Sequence, residues 1–77
     1  MTTTDARERA LRTQAMVIDA LRDRGATPRE VIDRILDIDD REYTRDRIAG
    51  AINTLLGRGQ IEMRYGRITL VRDEGGR

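Results

Sequence analysis

Six arginines, Arg45, Arg47, Arg58, Arg64, Arg67 and Arg72, lie between positions 45 and 72, against two acids, Asp46 and Glu62. A guanidinium is a planar fork of donors that grips phosphate or carboxylate oxygens. Arg64-Tyr65-Gly66-Arg67 sets two such forks around one phenol, a cluster able to clamp phosphates or enter a minor groove. Upstream, the Asn53 amide can bond an adenine edge at two points, and Arg47 can reach guanine or phosphate. Thr54 can touch a backbone or a thymine methyl. This is the chemistry of holding a polyanion.

Most of the residue types that make or break bonds are missing, and carboxylates alone are left for such work. The 77 residues contain no Ser, His, Lys, Cys, Phe or Trp, so all fifteen basic residues are Arg. That excludes a triad nucleophile with its base, a Schiff-base lysine, an imidazole metal ligand and a phosphate-loop lysine. No enzyme and no small-molecule cofactor is expected. Asp37, Asp39, Asp40 and Glu42 crowd one connector, but they lack the alternate ligand spacing, central Gly and distal Glu of a calcium loop, so no metal is expected. Without cysteine the domain must be held by packing alone, and a cytosolic compartment is the expectation. No apolar run approaches a membrane span, and Met1 to Asp5 does not read as a signal peptide.

Net charge is +1, unevenly spread. Residues 1–24 carry five Arg against four acids, residues 25–43 three against six, and residues 44–77 seven against four. A basic face set against an acidic remainder steers a protein toward a polyanion.

The elements that must position these residues follow from periodicity. Asp5 with Glu8 three residues later reads as a capping box opening helix 1, which runs to about Arg24 and is capped by Gly25. Its apolar stripe is Ala10, Leu11, Ala15, Val17, Ile18 and Leu21, with Met16 off the stripe. A helix this long in so small a domain can reach a second subunit as a homodimer through helix 1. Equally, it can simply cover the core with Met16 singly exposed. Thr27-Pro28-Arg29-Glu30 is a capping box with Pro at the first helical position, so helix 2 starts there and buries Val31, Ile32, Ile35 and Leu36.

Helix 3 begins at Tyr43-Thr44, with Thr44 as cap and Tyr43 stapled onto Ile48. With its core at Ile48, Ile52 and Leu55, the opposite face holds Asp46, Arg47, Gly50, Asn53, Thr54 and Gly57. Near Gly59 the period changes from 3.6 to 2. Ile61, Met63, Ile68 and Leu70 share one face if Met63 pairs with Ile68 and Ile61 with Leu70, which requires an even loop centred on Tyr65-Gly66. Arg58 near the helix end is assigned to structure, and residues 1–4 and 72–77 to mobile tails.

Ile48, Ala49-Gly50, Ala51-Ile52, Asn53-Thr54, Leu55, Gly59 and Ile61 resemble the recognition-helix and wing pattern of MarR-type and related winged helix-turn-helix regulators. The match covers about a third of the chain. Ala49, Gly50, Asn53 and Thr54 stand where that family often carries Arg, and Gln60 where it carries an apolar residue. The resemblance implies a mainly α fold with a small β-hairpin, three helices plus a two-stranded wing, in one domain. It also implies double-stranded DNA binding in transcriptional or recombination-type regulation, helix 3 entering the major groove. Arg47, Gly50, Asn53 and Thr54 would meet the groove. Arg29, Thr44, Arg45, Arg64, Tyr65 and Arg67 would meet backbone or minor groove. One such module buries little surface, so a dimer or tandem array is expected. The alternative is a winged helix that binds protein through the small-residue face of helix 3. RNA binding is weaker, since a lone Tyr makes a poor stacking platform.

Overall fold

Three helices, α1 (Thr3–Ala20), α2 (Pro28–Ile38) and α3 (Arg45–Arg58), are followed by a hairpin of β1 (Ile61–Arg64) and β2 (Arg67–Leu70). The computed structural model of the protein describes residues 3–71, and the side chains of residues 5–71. The architecture is mainly helical and consistent with a winged-helix layout. The tails expected at residues 1–2 and 72–77 lie outside the described residues, whereas Thr3 and Thr4 already belong to α1.

The second helix forms as its first four residues dictate. Thr27 in extended conformation accepts the Glu30 amide on its side chain, and Glu30 accepts the Thr27 amide at 2.9 Å. That backbone hydrogen bond is the main reason the Glu30 carboxyl titrates below its ordinary range. A carboxyl lowered by folding contributes stability above the unfolded-state range and loses it as pH falls through the folded value. Val31 and Ile35 are fully buried, with Ile32 and Leu36 half-buried beside them. The helix runs into the acidic connector and stops at Ile38, where Asp39 accepts the amides of Arg41 and Glu42 on Oδ1. Asp39 is therefore a turn former, while Asp37 lies in the last turn of α2 and Glu42 pairs with Arg12 at 3.5 Å. Among the described residues no group of three could hold a metal ion.

Thr44 caps α3 by accepting the Arg47 amide, and Tyr43 just before it is buried at 5% exposure, as a staple onto Ile48 requires. The far end closes in a Schellman turn. Gly59, at φ 77°, donates to the Leu56 carbonyl, and Gln60 donates to that of Leu55. The ribbon follows directly, with Ile61 opposite Leu70 and Met63 opposite Ile68, in the register that parity demands. Tyr65 and Gly66 both have positive φ, the signature of a two-residue type I′ turn. Met63 nevertheless remains 46% exposed, because the hairpin tip overhangs the core.

Helix 1 departs most from the sequence reading. Asp5 lies inside the first turn rather than at the cap, where it complements the helix dipole. The helix ends at Ala20, whose carbonyl accepts the Arg34 guanidinium at 2.9 Å. Its buried face is Thr13, Val17 and Leu21, with Met16 half-buried against the core, while Leu11 and Ala15 point outward and exposed Ala10 faces the gap beside α3. Counting apolar letters misplaced the stripe, because Thr13 takes a core position by donating its hydroxyl to the Arg9 carbonyl.

Gly25 is likewise not the helix cap. Ala26 forms a single antiparallel bridge with Ile68, donating to its carbonyl at 3.0 Å and accepting its amide at 2.7 Å. That contact adds a third, one-residue strand to the hairpin and draws the preceding backbone against β2. A Cβ on Gly25 would lie 2.7 Å from the Ile68 carbonyl oxygen. We expect Gly25→Ala to cost about 1–3 kcal/mol, as overpacking does. Gly57→Ala, where a Cβ meets nothing, should instead stabilise by up to ~1 kcal/mol. Thermal unfolding of the two variants by circular dichroism checks both signs.

Candidate nucleic-acid interface

Helix α3 packs on α1, α2 and β1, so its remaining face is the natural contact surface. Ile48, Ala51, Ile52 and Leu55 point inward. At about 100° per residue, the outward face is Asp46, Gly50, Asn53 and Gly57, all exposed, with half-buried Ala49 beside them. The Asn53 amide makes no hydrogen bond to another described residue, so both its donor and its acceptor are presented to solvent.

Arg47, expected on that face, is placed differently. It is half-buried and turned toward α1, where it donates through Nη1 to the Glu42 carbonyl. Its Nη2 donates to the Thr13 hydroxyl at 3.3 Å and the Arg9 carbonyl at 3.4 Å. The guanidinium also lies 5.9 Å from the centre of the Tyr43 ring. A cation with these partners braces α3 against α1. Thr54 turns to the same side and donates its hydroxyl to the Gly50 carbonyl at 2.9 Å, the back-bonding open to a mid-helix threonine. Arg58 bonds Gln14 of α1 at 3.3 Å, in keeping with its structural assignment. Small residues, Ala6, Ala10, Gly50 and Ala51 among them, line a cavity of about 430 Å³ between α1 and α3, together with the longer Arg9, Gln14 and Arg47.

The cations that remain outward sit on the flanks. Arg29, one residue into α2, is exposed and forms no ion pair among the described residues. Thr44 is exposed but occupied as cap. Arg45 pairs with Asp33 at 3.8 Å, both side chains more than half exposed. At the wing, Arg64 pairs with Glu62 of its own strand at 3.2 Å, and Arg67 donates to the Gly25 carbonyl at 3.1 Å. Exposed pairs of this kind are worth at most about 1 kcal/mol, so a phosphate can displace them. Tyr65 at the tip is fully exposed. The expected residues therefore divide. Gly50 and Asn53 share the outward face, Arg64, Tyr65 and Arg67 share the wing, and Arg47 and Thr54 belong to the α1 seam.

No family model, no curated protein and no solved structure matches this chain. No helix among the described residues is long and apolar enough to cross a membrane.

If Arg47 is a brace, Arg47→Met should destabilise the domain by about 1–2 kcal/mol through its lost hydrogen bonds. Asn53→Ala should stay within about 0.5 kcal/mol, as an exposed side chain without partners does. Urea unfolding of both variants measures the contrast, and equal effects would remove the division drawn here.

Proposed function

We propose that this protein binds double-stranded DNA through the outward face of α3 and the wing, acting as a small regulator of transcription or recombination with no catalytic step. The observation that carries this reading is Tyr65. It holds φ 54° in a type I′ turn, where Asn or Asp would be less strained, and its ring is wholly in solvent between two arginines. The hairpin needs that φ but not a tyrosine there, and a side chain kept against the preference of its own turn marks a contact site. Gly50 argues the same way. It weakens mid-helix by about 1 kcal/mol relative to Ala, yet a Cβ there would meet nothing within 4 Å. The space it leaves opens onto the groove between α1 and α3, where a partner from outside the chain can enter.

On this reading Asn53 reads a base edge, most favourably adenine, while Arg29, Arg45, Arg64 and Arg67 hold phosphates. Four such contacts give a log-log salt slope of roughly −4. A second reading, a protein partner laid along α3, is favoured by one feature. Asp46, Ala49, Gly50, Asn53 and Gly57 form an outward face without a single cation.

Anisotropy with random duplex DNA at about 50 and 200 mM salt tests the main reading through its steep salt dependence. Replacing both Arg64 and Arg67 by Ala should flatten the slope by about two units and weaken all sequences alike, whereas Asn53→Ala should relax discrimination at one base pair. Tyr65→Asn should stabilise the hairpin by a few tenths of a kcal/mol while weakening binding. Unchanged affinity in all three variants would shift the assignment to the protein partner.

A further inference from the structure

Helix α1 presents a second seam that the other described elements leave largely uncovered. About a third of a turn from its buried face lie Leu11, Ala15 and Ile18, spaced four and then three residues apart, as in the seam between paired helices. Leu11 is 52% exposed, Ala15 is exposed, and Ile18 keeps part of its surface free beside the core. The same spacing continues to Glu8 on one side and Arg22 on the other. Arg22 lies two residues past the last helical residue, where its amide donates to the Asp19 carbonyl at 3.2 Å in a tighter turn that extends the helix end. Glu8 forms no ion pair among the described residues. Arg22 has only a 3.8 Å pair with Asp19, with both side chains about two-thirds exposed.

We propose that a second copy of this chain packs on this face, the two α1 helices running antiparallel and crossing at Ala15. A two-fold axis there sets Ala15 against Ala15 of the partner subunit, where the small side chain allows close approach. Leu11 stands four residues before the axis and Ile18 three residues after it. Along the axis, the level of each Leu11 therefore differs from that of Ile18 of the partner subunit by only about 1.5 Å, one residue of helical rise. Glu8 and Arg22 are both seven residues from the axis, so Glu8 stands level with Arg22 of the partner subunit at each end. The charges decide the direction. A parallel pair would set Glu8 on Glu8 and Arg22 on Arg22, whereas the antiparallel pair makes two opposite-charge contacts and buries both Leu11 side chains. So short a seam belongs to the small end of specific interfaces, with dissociation on the order of micromolar. It also adds buried apolar surface to a domain of a size where a single core gives little margin.

The test needs no nucleic acid, so its result stands apart from the DNA-binding reading. Sedimentation of the full chain over rising concentration should show the mass climbing from 8.8 kDa toward twice that value. Leu11→Arg should hold the protein at the monomer mass, with its helical circular dichroism unchanged because Leu11 lies outside the core. Glu8→Arg or Arg22→Glu alone should raise the dissociation constant by roughly five- to tenfold, and the double exchange should restore it. Because the chain has no cysteine, Ala15→Cys should form a covalent dimer under mild oxidation, while Asp37→Cys on the exposed side of α2 should not. A monomer at every concentration up to about millimolar, a dimer indifferent to Leu11→Arg, or charge exchanges that do not compensate would each overturn the proposal.

Discussion

The fold depends on burying one face of α3. Ile48 and Leu55 are fully buried and Ile52 nearly so, and each such side chain contributes about 1.5–3 kcal/mol when removed from water. Because α3 lies against α1, α2 and β1 at once, its burial fixes where the other elements sit. The same burial leaves a single strip of α3 facing outward. Function, if it uses this helix, must use that strip.

Two polar devices then set angles that apolar packing alone leaves loose. Arg47 ties α3 to α1 and to the end of the connector through three oxygen acceptors, and Arg34 closes the end of α1 on the Ala20 carbonyl. The Ala26–Ile68 bridge does the same for the wing, adding backbone hydrogen bonds to the packing of Ile61, Ile68 and Leu70 and to the Arg67 contact with the Gly25 carbonyl. Arginine serves twice here, as a brace in half-buried positions and as an open cation at the flanks. The cost of using Arg47 as a brace is that the outward strip carries no cation.

Small residues have two meanings in this chain, and the space around each separates them. Gly25 is required by the approach of β2, and Gly59 by a left-handed turn. Gly50 and Gly57 answer to neither requirement, since a Cβ at either would meet nothing. Tyr65 belongs with them, because the turn needs its backbone conformation but not its large, wholly exposed side chain. Residues that weaken a domain without any internal reason are where an outside partner is best sought.

Local signals in the sequence determined the second and third helices and the hairpin. The Thr27 to Glu30 capping box, the Thr44 cap, the Gly59 stop and the parity of Ile61, Met63, Ile68 and Leu70 are each settled within a few residues by hydrogen bonds and side-chain period, so they could be read without the fold. The phase and length of α1 could not, because its core face includes Thr13, whose hydroxyl becomes acceptable inside only once Arg9 and Arg47 supply its partners. Gly25 could not either, since its reason lies more than forty residues away on β2. For the candidate interface, composition and charge pointed to the last helix and the hairpin, and the wheel placed Gly50 and Asn53 outward, where the structure has them exposed. Only the tertiary structure decided that Arg47 and Thr54 turn aside to α1. A side chain at the edge of a helical face goes to whichever neighbour offers it hydrogen bonds, and that neighbour is distant in sequence.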